Sequence, residues 1–380
     1  LKNLQLIDDP LINIILVIFI STFFIEMFYY LYFFSKTGKT KKKKKVRKDS
    51  LPPVSVVICA RNEEENLREH LPLILEQDYP SFEVIVVNDC SVDNTSILLQ
   101  NLGLKYPRLK VSQIKEDPKF THNKKLALTI GIKASANEHL LLTDADCYPT
   151  STMWIREMVS NYSGKTELVL GYGGYETHPG FLNKFIRYET VFTAMQYMGF
   201  AERKLPFMGV GRNLSYKKSL FFRNKGFASH SHLNSGDDDL FVSETATGVN
   251  TKVETNASSF TRSIPPDNWG NWFRQRKRHF TTGVRYKLHI KILLLLEYFS
   301  RLLFYASVIF LLLQSSFYQW VLAVYLFNII VKGIIFKIVL KRLNELFLCL
   351  FSLIFEPFQP IIYAGIHFVM FLEKKRNRWR

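Results

Sequence analysis

The sequence predicts an α/β chain in which a doubly wound, mostly parallel sheet lies between N-terminal and C-terminal membrane helices. Three observations carry this: an apolar stretch at 11–34, an alternation of β-branched runs with helical spacing between Val54 and Thr143, and a return to apolar composition from Ile292 to Leu372.

The first stretch holds one acidic residue, Glu26. As a helix rising ~1.5 Å per residue it is long enough for a hydrocarbon core of ~30 Å. It is aromatic-rich and runs into lysines, which favours an uncleaved anchor over a signal peptide. Lys36, Lys39, Lys41 to Lys45, Arg47 and Lys48 follow, and Lys374, Lys375, Arg376, Arg378 and Arg380 close the chain; together they account for much of the formal charge of +17. Basic runs beside membrane segments contact anionic headgroups and mark the cytoplasmic side, so nucleic acid is not the expected partner. Residues 1–50 therefore read as an anchor and basic linker.

Leu51-Pro52-Pro53 separates this linker from a domain. Val54 to Ala60, Phe82 to Asn88, the weaker Leu109 to Ile114 and His139 to Thr143 predict four strands, apolar enough to be buried on both faces. Asn62 is expected to cap the next helix, with Glu65 completing a capping box, and Asn123 to Ala136 has helical spacing. Ligands of such sheets sit beyond the carboxyl ends of the strands, which selects Ala60 to Glu64, Asn88 to Asp93 and Asp144 to Asp146. Cys59, Cys90, Cys147 and Cys349 lack paired metal spacing and read as unpaired thiols in a reducing compartment.

Four constellations could carry chemistry, and each has a plainer explanation. Asp144 and Asp146, flanking Ala145 at a strand end, can converge on a hard cation, or can form a turn or cap. Asp89 can accept from a nucleobase while Asp93 caps a helix. Asp237-Asp238-Asp239 place three like charges together; they suit a helix N-terminus or a general base. Arg274 to Arg278 would ordinarily meet headgroups, yet Gln275 and Arg278 share a helical face and could hold a diphosphate.

In this order and spacing, from about Val54 to Arg278, these elements resemble the family 2 inverting glycosyltransferases, in the membrane-integrated branch that includes cellulose, chitin and hyaluronan synthases. The resemblance implies a GT-A-type fold with a nucleotide-sugar-binding half at 51–165, an acceptor-binding half at 166–288 and a C-terminal membrane region at 289–380. It also implies that Ala60, Arg61, Asn62, Glu64, Asp89, Lys124 and Asp144 bind the donor, and that Asp144 and Asp146 hold a divalent metal, Mg²⁺ or Mn²⁺. Gly211 to Tyr216 would line the acceptor pocket. Asp238, beside Asp237, would be the base, and Gln275 and Arg278 would assist at the diphosphate.

Two departures matter. Asn88 stands where the family loop usually has a first Asp, and His279 stands where processive synthases carry the Trp of Gln-x-x-Arg-Trp. The second favours transfer of one sugar from a nucleotide-diphosphate sugar to a lipid or lipid-linked glycan over polymer synthesis. His279 itself could stack or donate, with a charge adjustable near neutral pH. A non-catalytic membrane scaffold with a degenerate domain is the reading of another class, and nucleotidyl transfer a third. The expected place is the cytoplasmic face of the cell membrane, multi-pass. Glu356 to Pro360 is expected to break the last segment into a re-entrant or interfacial hairpin, returning the basic tail to the inner side.

Overall fold

Helix α1 (Pro10–Phe28) continues through a π-helical turn, Tyr29–Phe33, and a short 3-10 turn to Lys36. The computed structural model describes residues 10–39, 51–116, 123–233, 235–314, 316 and 318–378, with side chains to Glu373; most of the two basic runs thus lies outside the described residues.

The domain begins with four parallel strands where the apolar runs predict them: β1 (Val54–Ala60), β2 (Phe82–Asp89), β3 (Leu109–Ile114) and β4 (His139–Leu142). They alternate with α2 (Glu64–Leu75), α3 (Thr95–Lys105) and α4 (Lys124–Ala134). Strand β2 is buried along its whole length, as expected of a run covered by helices on both faces. Strand β3, at the sheet edge, exposes Lys110, Val111 and Gln113, which explains its weaker apolar signal.

The second half supplies short strands and longer helices: β5 (Cys147–Pro149), α5 (Trp154–Val159), β6 (Leu168–Leu170), β7 (Gly173–Tyr175), α6 (Phe181–Glu202), β8 (Leu214–Lys217), α7 (Lys218–Arg223), α8 (Asp239–Thr245), β9 (Thr251–Val253), β10 (Thr261–Ser263) and α9 (Trp269–Gly283). Seven strands form the main sheet in the order β3-β2-β1-β4-β8-β6-β9, antiparallel only where β8 pairs with β4 and β6. Both halves thus share one sheet. Strands β5, β10 and β7 make a second, three-stranded sheet beneath the carboxyl end of β4. The order reverses between β1 and β4, the switch point where open α/β sheets place ligands.

Helices α10 (Leu288–Gln314), α11 (Tyr318–Arg342) and α12 (Cys349–Arg378) complete the chain. Among the described residues, four helices are long and apolar enough to cross a membrane: Pro10–Lys36, Leu288–Gln314, Tyr318–Arg342 and Leu346–Glu373. Helix α6 joins them to the domain. Gly199 lets the backbone after α1 approach closely, since a Cβ there would lie 2.5 Å from the Phe33 carbonyl oxygen, and Phe200 stacks on Phe33 at 4.1 Å.

Two local expectations are corrected. Asn62 caps no helix: it sits at φ 56°, α2 starts two residues later, and the cap position, Glu63, makes no side-chain cap bond. The donors are met from the neighbouring loop instead, Glu63 N–H by Thr95 Oγ1 at 3.0 Å and Glu64 N–H by Asp93 Oδ2 at 3.2 Å. Nor does Glu356 to Pro360 break the last segment, for α12 runs on with Pro357 and Pro360 inside it. Packing against α6, α10 and α11 compensates the backbone bonds the prolines remove. Both ends of α12 meet the domain: Glu345, just before it, pairs with Arg187 and Arg262, and Glu373 pairs with Lys277.

Candidate active site

Three strand ends build the site. Asn62 and Cys90 both adopt left-handed backbone at φ 56°, and the two loops are stitched together: Asn62 N–H donates to Ser91 Oγ at 2.9 Å, and Val92 N–H to Asn62 Oδ1 at 2.8 Å. Ala60 and Asn88 are register partners, and Asp89 is the buried last residue of β2. Ala60, Arg61, Asn62, Glu64 and Asp89 thus share one sheet edge, though none lines the central cavity.

That cavity, of about 600 Å³, gathers most of the other candidates: Lys124, Asp144, Asp146, Asp237, Asp238, Gln275 and Arg278. After β4, Thr143 donates to the Arg212 carbonyl at 3.0 Å, and the chain turns through Asp144 and Asp146 into β5. Ser263 on the paired strand β10 donates to Asp146 Oδ2 at 2.9 Å. Ligand atoms of Asp144, Asp146 and Cys147 lie within 4.8 Å of one another. Burial, with Asp146 and Asp144 beside it, pushes the Cys147 thiol well above its ordinary range. It therefore stays protonated, and the oxygen donors that remain suit a hard divalent cation.

Asn123 caps α4, accepting from Leu126 N–H at 3.1 Å, and so aims Lys124 at the carboxylates. Lys124 Nζ lies 2.7 Å from Asp144 Oδ1 and 3.0 Å from Asp237 Oδ2. Burial would lower this ammonium, but Asp144, Asp237 and Asp238 outweigh it and hold it well above the ordinary lysine range.

The acidic triplet divides into three roles. Burial would raise Asp237; its pairing with Lys124 prevails and keeps it low. Asp238 caps the short helix α8, taking Asp239 N–H on Oδ1 at 2.7 Å and Gly211 N–H on Oδ2 at 2.6 Å. Burial, with Asp237 and Asp239 alongside, pushes its carboxyl up to about 7, a value suited to a base near neutral pH. Asp239 is held by hydroxyls, Tyr286 at 2.9 Å and Thr282. The helix N-terminus and the base are therefore compatible readings of one motif.

Gly211 and Arg212 line the cavity, but the rest of 211–216 does not. Asn213 is instead a buried brace, donating to Tyr172 and Ser259 carbonyls and accepting from Trp154 Nε1. A Cβ on Gly171 would lie 2.5 Å from Asn213 Cγ, so only glycine fits there.

On α9, Gln275 bonds Tyr175 at 3.1 Å, while Arg276 turns inward to Glu189 at 3.0 Å and Lys277 pairs with Glu373. The expected pH-adjustable charge on His279 is corrected: burial and the nearby Arg276, Arg278 and Arg212 lower its pKa, keeping the ring neutral. Ser263, Tyr286, Glu189, Glu297 and Arg301 also belong to this region and were not singled out from sequence. The visible signal for Glu297 and Arg301 was a pair of opposite charges four residues apart in the largely apolar α10; Glu189, among other charges of α6, and Ser263 had none.

Residues 55–223 match the model for glycosyl transferase family 2. Over 149 residues the chain is 32% identical to the glycosyltransferase AglE of Haloferax volcanii, 39% of this chain and 47% of AglE. Over 241 residues it is 27% identical to the probable glycosyltransferase YdaM of Bacillus subtilis, 60% of this chain and 54% of YdaM. The chain thus spans about half the length of these relatives. The mannosyltransferase PcManGT of Pyrobaculum calidifontis, solved with GDP-Man and Mn²⁺, superposes with a TM-score of 0.57 at 17% identity, covering 91% of this chain and 98% of that one. The likeness extends to the fold and includes the helices outside the sheet domain.

Proposed function

Starting from a glycosyl transferase family 2 domain at residues 55–223, we propose that this chain moves a sugar from a nucleotide-diphosphate sugar to a lipid or lipid-linked glycan at a membrane, with inversion at the anomeric carbon. The observation that carries it is a single cavity in which Asp144, Asp146, Lys124, Asp238 and Arg278 meet the first turns of the apolar helix α10. From PcManGT we carry over the ligand class alone, a nucleotide-diphosphate sugar with a divalent metal.

In this reading the loops after β1 and β2, with Asp89, receive the nucleoside. Asp144 and Asp146 would hold the metal, which supplies positive charge beside the leaving diphosphate. Asp238 takes the proton of the acceptor hydroxyl while that oxygen bonds to the anomeric carbon. The bond from that carbon to the diphosphate oxygen breaks on the opposite side, and its electron pair leaves with the diphosphate. Lys124 and Arg278 stabilise the charge that develops there, and Gln275, set by Tyr175, orients beside it. Neutral His279, in place of a broad indole, supports single transfer over polymer synthesis.

Calorimetry with a panel of nucleotide-sugars, with and without Mn²⁺, tests the donor site, and Asp238→Asn tests the base. The variant is expected to bind donor as the parent does and to lose ~10²-fold or more of turnover. Full turnover in that variant removes the assignment, and the absence of any metal-dependent binding favours the scaffold.

A further inference from the structure

We propose that the acceptor is an uncharged, hydroxyl-bearing membrane amphiphile that enters sideways between α10 and α12. The proposal rests on the transfer reaction above and specifies its acceptor.

The cavity does not end at the carboxylates. It continues to Leu294, Leu295 and Tyr298 on α10 and His367 on α12. Leu295 is 53% exposed and belongs to the same apolar outer face as Ile292 and Phe299. A molecule resting on that face can therefore keep its chains in lipid while its head group reaches inward.

Along the way lie Glu297 and Arg301, each 2% exposed and both lining the cavity. They pair at 2.8 Å, but Arg301 Nε and Glu297 Oε1 form no aligned hydrogen bond. A hydroxylated head group would find one charged donor and one charged acceptor there. Because the cations and anions of this pair already offset each other, the spot suits a neutral polyol better than an anion.

Charge across the whole cavity argues the same way. Six Lys or Arg and six Asp or Glu side chains line it. A divalent cation and the two negative charges of a nucleotide-diphosphate sugar preserve that balance. An anionic acceptor would add uncompensated charge between Asp238 and Glu297, at a cost that a hydroxyl avoids.

Two photoactivatable lipids with identical chains and a diazirine near the glycerol, a diacylglycerol and a phosphatidic acid, test this on the full chain in nanodiscs. The cross-links to score are on Thr193 and Gln196 of α6, which line the cavity rather than the outer face of α10. Diacylglycerol is expected to label them about fivefold more than phosphatidic acid, a preference of ~1 kcal/mol. Leu295→Trp, which fills the mouth, is expected to remove most of that labelling. Leu313→Trp, on the same helix at a position 77% exposed and outside the cavity, controls for a general effect and is expected to leave labelling intact. Equal or stronger labelling by phosphatidic acid overturns the neutral head group, and labelling indifferent to Leu295→Trp overturns the route. Metal-dependent donor binding in the same preparation, without lipid labelling, sinks the entry proposal alone. Labelling without donor binding removes the transfer reading.

Discussion

Glu189 offers a strict test of how α9 is held. Its carboxylate, fully buried on α6, accepts from Trp272 Nε1 at 2.9 Å and from Tyr363 at 2.5 Å, and pairs with Arg276 Nε at 3.0 Å. Glu189→Gln keeps the shape but turns one acceptor into a donor and leaves the Arg276 guanidinium, 13% exposed, without a counter-charge. Breaking a buried ion pair from one side costs ~3–5 kcal/mol. At ~2–4 °C per kcal/mol this lowers the melting temperature by roughly 6 °C or more, measured by tryptophan fluorescence in a fixed detergent. Arg276→Met strands the opposite charge and is expected to cost a similar amount. The double variant strands neither, so it should be less damaging than the sum of the two by about 2 kcal/mol. A shift below about 2 °C for Glu189→Gln, or strict additivity in the double variant, would refute the argument that stranded charge sets the cost.

Three further outcomes are expected. Because Asp238 must be deprotonated to act as base and is pushed up to about 7, kcat/KM should climb with pH through that value and level above it; a profile flat from about pH 5.5 to 8 would exclude it as the titrating base. The fold favours the protonated form of Asp238, so its cost to stability grows as pH rises from the ordinary carboxylate range and is complete above about 7; the melting temperature of Asp238→Asn relative to the parent should accordingly improve between about pH 5 and pH 8, and a constant difference would count against the raised pKa. Asn123→Ala removes the cap on Leu126 N–H and should cost ~1 kcal/mol in denaturant melts while raising the donor KM through a displaced Lys124; an unchanged KM would show that α4 is held by other contacts.

Four strands and the helices between them were legible because each carries its own signal. The buried runs of β1, β2 and β4 are continuous, and residues 123–136 carry helical spacing. Strands β5, β6, β7, β9 and β10 have three residues each, too few to show a period, and exist because neighbours complete their ladders. Asn62 misled because capping chemistry is local, whereas the donors it was expected to satisfy are met by residues about thirty positions away. In the site, Asp144, Asp146 and the acidic triplet stood out through charge at strand and helix ends, and Lys124 through the family resemblance alone. The separate roles of Asp237, Asp238 and Asp239 did not, since they depend on Lys124, Gly211 and Tyr286 arriving from distant parts of the chain.

The attachment of α12 at Glu345 and again at Glu373 governs how the molecule meets a bilayer. A rod fastened to one body at both ends cannot carry the chain to the opposite leaflet. In the membrane setting proposed above, α12 then stays with the domain, and Glu373 lies on the side where the chain leaves α1. A helix braced to the domain at both ends resists tilting. It would keep the gap between α10 and α12 at a constant depth in the leaflet from which the acceptor is drawn.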